Sequence, residues 1–154
     1  MAEARAKDAA AEVRLGSLPG HIGYLLRRAQ LQVFQDVIRA LAEVDLRPAQ
    51  FSVLVVVGEN PGLRQAQLGE ALAIQTTNLV GMLDELERRG LVARLPSPSD
   101  RRSRALHLTA EGARVLRRAQ ALADRNEARI LRKLGPEGKR RLADLLTRLA
   151  EPDG

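Results

Sequence analysis

Residues 64–108 read RQAQLGEALAIQTTNLVGMLDELERRGLVARLPSPSDRRSRALHL, two short helical patterns that run into a basic hairpin. In the first pattern Leu68, Ala71 and Leu72 share one face, and a tight connection follows at residues 73–75. The second begins near Thr76 and repeats Leu79, Leu83 and Leu86 until Gly90 stops it. Two extended segments then flank a tip of Pro, Ser, Asp and Arg. Two helices joined by a short turn, the second polar at its N-terminal end, make a helix-turn-helix that presents a recognition helix. The appended hairpin makes it a winged one, and the arrangement points to duplex DNA.

Composition bounds this reading. A chain of 154 residues suits one domain or one protomer of an oligomer. Hydrophobic residues make up 45%, but only Tyr24, Phe34 and Phe51 are aromatic. The core is therefore aliphatic, which favours helix packing over an aromatic-rich sandwich. A net charge of +6 suits a polyanionic partner, and serves solubility equally well. The absence of cysteine excludes disulfides, thiolate redox sensing and Cys-ligated zinc. His21 and His107 stand far apart without a carboxylate cluster, so no metal and no cofactor is expected. No apolar run approaches the roughly 20 residues that cross a bilayer. The opening MAEARAKDAAAEVR has mixed charge and no apolar signal core. The expected location is the cytoplasm, with no membrane partner.

Outward from the central stretch, residues 1–20 read as a flexible N-terminal arm closed by GSLPG. Residues 21–46 form an N-terminal dimerisation helix with Ile22, Leu25, Leu26, Ala29, Val33, Val37, Ile38 and Leu41 in a wide stripe. Residues 47–108 form the DNA-binding lobe. Its opening, RPAQFSVLVVVGEN, has enough valine for a strand. The spacing of Phe51, Leu54, Val55 and Gly58, and the terminator Asn60-Pro61-Gly62, favour a helix. Residues 109–154 carry the C-terminal dimerisation helices. Thr109 caps the first, with Glu111 in its opening turn and Val115, Leu116, Ala119, Leu122 and Ala123 on its apolar side. Gly135 ends that helix and Pro136 opens the last, which holds Leu142, Leu145, Leu146 and Leu149. The fold class is mainly α: a winged helix-turn-helix with a two-stranded wing, flanked by N- and C-terminal dimerisation helices. Such stripes at both ends leave large apolar patches on a monomer, and a two-fold homodimer covers them.

Two groups of residues are placed to touch DNA. Gln75, Thr76, Thr77, Asn78 and Gly81 occupy the start and outward side of the recognition helix. Gln and Asn pair with adenine edges, Thr reaches a base or phosphate, and Gly81 lets the backbone come close. The plainer alternative is that Thr76 caps the helix and its neighbours form a solvated face. The second group is the wing, with Arg94, Ser97, Asp100, Arg101, Arg102 and Ser103. Six arginines between 88 and 104 face a single acid, Asp100. Such a stripe fits phosphate binding, and an arginine at a narrow tip fits a minor groove. An ordinary solvated turn is the alternative here.

The stretch LDELERRGLVAR (residues 83–94), the wing PSPSDRRSRALHLT (96–109) with Asp100 and Arg102 in Asp-x-Arg spacing, and TAEG (109–112) resemble the winged-helix core of MarR-type transcriptional regulators. The likeness extends from the long first helix at His21 to the Gly-Pro start of the last. It implies an obligate dimer that represses transcription at a near-palindromic operator, with Arg102 in the minor groove and Asp100 orienting the wing arginines. The redox-sensing branch of that family uses a reactive cysteine, which this chain lacks, so a small-molecule effector is expected instead. In the family such ligands sit between the dimerisation helices and the DNA-binding lobe. The residues here that fit such a cleft are His21, Tyr24, Arg28, Phe34 and Phe51. A His/Tyr pair with an arginine suits a phenolic or aromatic acid, or its CoA thioester, whose phosphates want arginines. Phe34 and Phe51 as plain core residues are the alternative.

Two other functions compete. An enzyme is not expected: there is no Gly-x-Ser-x-Gly, no phosphate-cradling glycine loop after a strand and no thiol nucleophile. A helical protein–protein adaptor using the winged helix without DNA is the alternative, but an adaptor face is more often apolar or aromatic than arginine-rich.

Overall fold

The computed structural model describes residues 13–96 and 104–151. It divides into two units, Met1–Val33 and Phe34–Gly154, and helix α1 (Ile22–Ala42) begins in the first and ends in the second. In the first unit, a single turn at Leu18–Gly20 precedes the helix and His21 Nε2 lies 3.3 Å from Ser17 Oγ. Val13, Leu15, Leu18, Ile22 and Leu25 are all exposed there. Of the arm expected over residues 1–20, residues 1–12 lie outside the described residues.

The second unit builds the core. The valine-rich segment is helical, as its spacing indicates: α2 spans Pro48–Glu59. Pro48 sits in the first turn, where its missing N–H costs nothing, and the Gln50 side chain accepts the Arg47 N–H at 2.9 Å. Asn60 ends the helix, its side chain donating to the Val56 carbonyl. A turn through Gly62 (φ +89) leads into a two-residue strand, β1 (Leu63–Arg64). Then come α3 (Gln65–Leu72) and α4 (Thr76–Arg88), separated by residues 73–75 with Ala73 in the left-handed region at φ 51. Leu79, Leu83 and Leu86 are fully sunk into the core. Gly90 (φ +68) closes α4: its N–H reaches the Glu87 carbonyl and that of Leu91 reaches Leu86, the paired bonds of a glycine C-cap.

Strands β2 (Val92–Pro96) and β3 (Arg104–Leu108) form the hairpin, in antiparallel register from Val92 opposite Leu108 to Pro96 opposite Arg104. The wing is the expected two-stranded hairpin, and β1 adds a third strand to its sheet, in the order β1-β3-β2. β1 is too short to carry any alternation, so it left no periodic signal. Ala71 is also placed differently: it is exposed, while Leu68 is buried and Leu72 half-buried. In so short a helix only one stripe reaches the core.

Helix α5 (Ala110–Ala150) opens on Thr109, whose hydroxyl accepts the Gly112 N–H at 2.9 Å and donates to the Gly90 carbonyl at 2.6 Å. Glu111 lies in its first turn, paired with Arg114. Gly112 is buried, and a Cβ there would lie 2.0 Å from the Leu91 carbonyl oxygen, so only glycine fits. Gly135 (φ 69, ψ 167) breaks the helix just before Pro136, as their order in the sequence indicates. The buried core is aliphatic, with Leu41, Val53, Leu54, Val57, Leu106, Leu116 and Ala119 joining the α4 leucines. Phe51 packs against it half-buried, whereas Phe34 is 49% exposed on α1.

Candidate nucleic-acid interface

Helix α4 is buried along one stripe and bare along the other. Gln75, Thr76, Thr77, Asn78 and Gly81 are all exposed. Gln75, not Thr76, is the residue that precedes the first turn, and it makes no capping bond with its side chain. Thr76 is thus free of the capping duty that was the plainer account of it. The side chains at the start of α4 remain available to an outside partner. A Cβ on Gly81 would meet nothing within 4 Å among the described residues, so packing against them does not explain the glycine.

Two recesses flank this start. One, of about 510 Å³, lies toward α3 and is lined by Gln65, Gly69, Glu70, Gln75 and Thr76 among others. The other, of about 500 Å³, joins the Thr77, Asn78 and Gly81 side of α4 to Arg47, Ala49 and Gln50 at the start of α2. Arg47 and Gln50 were not among the residues expected to matter; the only trace in the sequence is a glutamine three residues after the N-cap.

The wing begins and ends within the described residues, but its tip does not. Ser97, Asp100, Arg101, Arg102 and Ser103 lie outside the described residues. Arg104 opens β3 at the end nearest the tip, opposite Pro96, and is exposed. Arg94 is placed differently from a free phosphate contact. Its Nη1 lies 2.7 Å from Asp84 and 2.6 Å from Glu87, and only 19% of the side chain is exposed. Burial pulls the Arg94 pKa down, but the hydrogen bonds it donates to Asp84 and Glu87 outweigh it and hold the group above its ordinary value. Both acids lie just before the arginine-rich stretch that opens at Arg88. In the fold they face Arg94 from one turn of α4.

The five residues expected at a ligand cleft fall in both units. His21 and Arg28 are exposed and Tyr24 half-buried in the first; Phe34 is exposed and Phe51 half-buried in the second. A different polar cluster lies within the second unit. Asp36 is 8% exposed and pairs with Arg39 and, at 2.7 Å, with Arg129, beside a recess of about 450 Å³ that Asn126 also lines. The hydrogen bond from Arg129 holds the Asp36 carboxyl below its usual range, with Arg39 adding to it against the cost of burial. Among the described residues no group of three or more His, Asp or Glu is arranged to hold a metal ion, and no helix is long and apolar enough to cross a membrane.

A model of the MarR family matches residues 46–103. A putative transcriptional regulatory protein for the hcr operon of Thauera aromatica is 33% identical over 144 residues, 93% of this chain and 87% of that one. The structure of the transcriptional repressor CouR bound to a 23-mer DNA duplex superposes with a TM-score of 0.87 at 45% identity, covering 92% of this chain and 100% of that one. CouR from Rhodococcus jostii RHA1 bound to p-coumaroyl-CoA gives 0.79 at 34% identity, covering 90% and 98%.

Proposed function

The chain belongs to the MarR family of DNA-binding transcriptional regulators, which are not enzymes, and from that premise we propose that it is a dimeric repressor released from its operator by an aromatic effector. The observation that carries the DNA reading is the two-sidedness of α4. Leu79, Leu83 and Leu86 anchor it in the core while the uncapped Gln75, Thr76, Thr77 and Asn78 face outward. In this reading those residues contact base edges in a major groove. The wing residues Ser97, Asp100, Arg101, Arg102 and Ser103 meet the backbone and minor groove, with Arg102 inserted and Asp100 orienting its neighbours. Arg94 takes another role: its head is occupied by Asp84 and Glu87, so it holds the wing against α4 instead of contacting phosphate.

Dimerisation through the chain ends is supported by the apolar residues each end leaves bare. Leu142, Leu145, Leu146 and Leu149 are between 41% and 59% exposed, and Val13, Leu15, Leu18, Ile22 and Leu25 are exposed near the other end. A symmetric dimer covers both and pairs two α4 helices for a near-palindromic site. The compartment is the cytoplasm, where the DNA is.

For the effector, the CouR relatives favour an aromatic acyl-CoA thioester, and His21, Tyr24, Arg28, Phe34 and Phe51 are the residues assigned to its aromatic part. A thermal-shift series with p-coumarate, p-coumaroyl-CoA and related thioesters tests this, since a ligand of the native state raises its apparent stability. The expected result is a higher melting temperature with at least one thioester, together with release of bound duplex. No shift with any aromatic acid or thioester contradicts the effector assignment and leaves the DNA assignment standing.

A further inference from the structure

The recess beside α4 contains a feature that base reading does not explain. Gln50 is only 2% exposed; its Oε1 accepts the Arg47 N–H, and its Nε2 is buried without a partner among the described residues. The two atoms share one carbon, so the orphaned donor lies at the same helix mouth as the bonded oxygen. A buried amide donor left unpaired is unfavourable, and such groups usually mark a missing acceptor. Pro48 has no N–H, so the first-turn donors of α2 without a carbonyl one turn back are those of Ala49 and Gln50. The helix has 12 residues, and its dipole favours an anion at this end. Arg47 is exposed beside it.

We propose that this mouth, formed by Arg47, the backbone N–H groups of Ala49 and Gln50, and the Gln50 amide, seats one phosphate of the DNA backbone. The inference rests on the regulator reading and extends it to α2. A backbone phosphate is the acceptor that fits, because Thr77, Asn78 and Gly81 line the same recess. A strand whose bases meet Thr77 and Asn78 carries its phosphates past the α2 mouth. Gly81 leaves the lip open, with none of the described residues within 4 Å of the place a Cβ would take. The incoming oxygen meets Arg47 and the Ala49 N–H first, and the Gln50 amide as it settles. Glu85, one turn beyond Gly81, also lines this recess and shares a neighbouring one with Arg47, Pro48 and Gln50, so its charge opposes the phosphate and Arg47 must offset it.

Two variants of the full chain test this, each measured by fluorescence anisotropy over a salt series. The duplexes are one enriched from a random pool by the wild-type protein and one of random sequence. Gln50→Glu keeps an acceptor for the Arg47 N–H and puts at the helix mouth a charge that the helix tolerates but a phosphate does not. Arg47→Ala removes an exposed cation without touching the core. The expected result is a loss of about ten-fold on both duplexes for either variant, with the melting temperature of Arg47→Ala unchanged. For Arg47→Ala the slope of log K against log[salt] falls by about 0.9 per contacting protomer. Unchanged affinity and slope in Arg47→Ala overturn the phosphate seat, as does a loss confined to the enriched duplex with the slope intact. If the wild-type protein binds neither duplex, the regulator reading fails first and takes this inference with it.

Discussion

Arg94 of β2 reaches back to Asp84 of α4, its Nη1 2.7 Å from the carboxylate, and so ties the wing to the helix that precedes it. Glu87 completes the clamp at 2.6 Å. Asp84 is 55% and Glu87 41% exposed, so solvent screens much of the attraction and the gain in stability is small. Arg94→Ala is therefore expected to cost only about 0.5–1 kcal/mol in folding. It weakens duplex binding by a larger factor, because the wing loses its fixed angle to α4. Chemical denaturation set beside anisotropy separates the two effects. A variant that binds duplex as tightly as the wild type contradicts the clamp.

Gly112, in the first turn of α5, has no room for a side chain. A methyl group there would press into the Leu91 carbonyl oxygen, which itself accepts the Thr109 N–H. Neither partner is a flexible side chain, so the start of α5 must move away from the end of α4. Gly112→Ala is expected to destabilise the fold by roughly 3 kcal/mol, the upper end of overpacking costs. A urea midpoint within error of the wild type contradicts it.

Asp36 predicts an acid limb. Its carboxyl titrates below the ordinary value in the fold, chiefly through Arg129, and at about 3.9 in the unfolded chain. The unfolded state then binds the extra proton. The contribution is complete above about pH 4 and is lost as the pH falls through the lower, folded value. Asp36→Asn should flatten the decline of melting temperature below pH 4 relative to the wild type. Identical acid limbs in the two proteins would remove Asp36 from the account.

Where a feature is written in local spacing, the sequence made it legible. The leucines at 79, 83 and 86 marked the buried stripe of α4, Thr109 its neighbour's cap, and Gly135-Pro136 the break in α5. Partners brought together by folding were not legible. Asp36 and Arg129 are far apart in the chain, and Arg94 looked like a free cation because its acids precede it on a different element. β1 is two residues held by pairing with β3, which no periodicity can announce. The phosphate seat at α2 was hidden because a proline and a capping glutamine look like ordinary helix-start chemistry. Only the juxtaposition with α4 gives them another use.

The central claim, that the exposed start of α4 reads a duplex, is tested most directly by comparing wild type and Asn78→Ala on enriched and random duplexes across a salt series. The account predicts nanomolar affinity for the enriched duplex, with log K falling linearly with log[salt]. It also predicts that Asn78→Ala loses about ten-fold or more on that duplex, while binding to random sequence stays within about two-fold. Equal affinity of the wild type for both duplexes, or an Asn78→Ala variant that keeps the full preference, would contradict it.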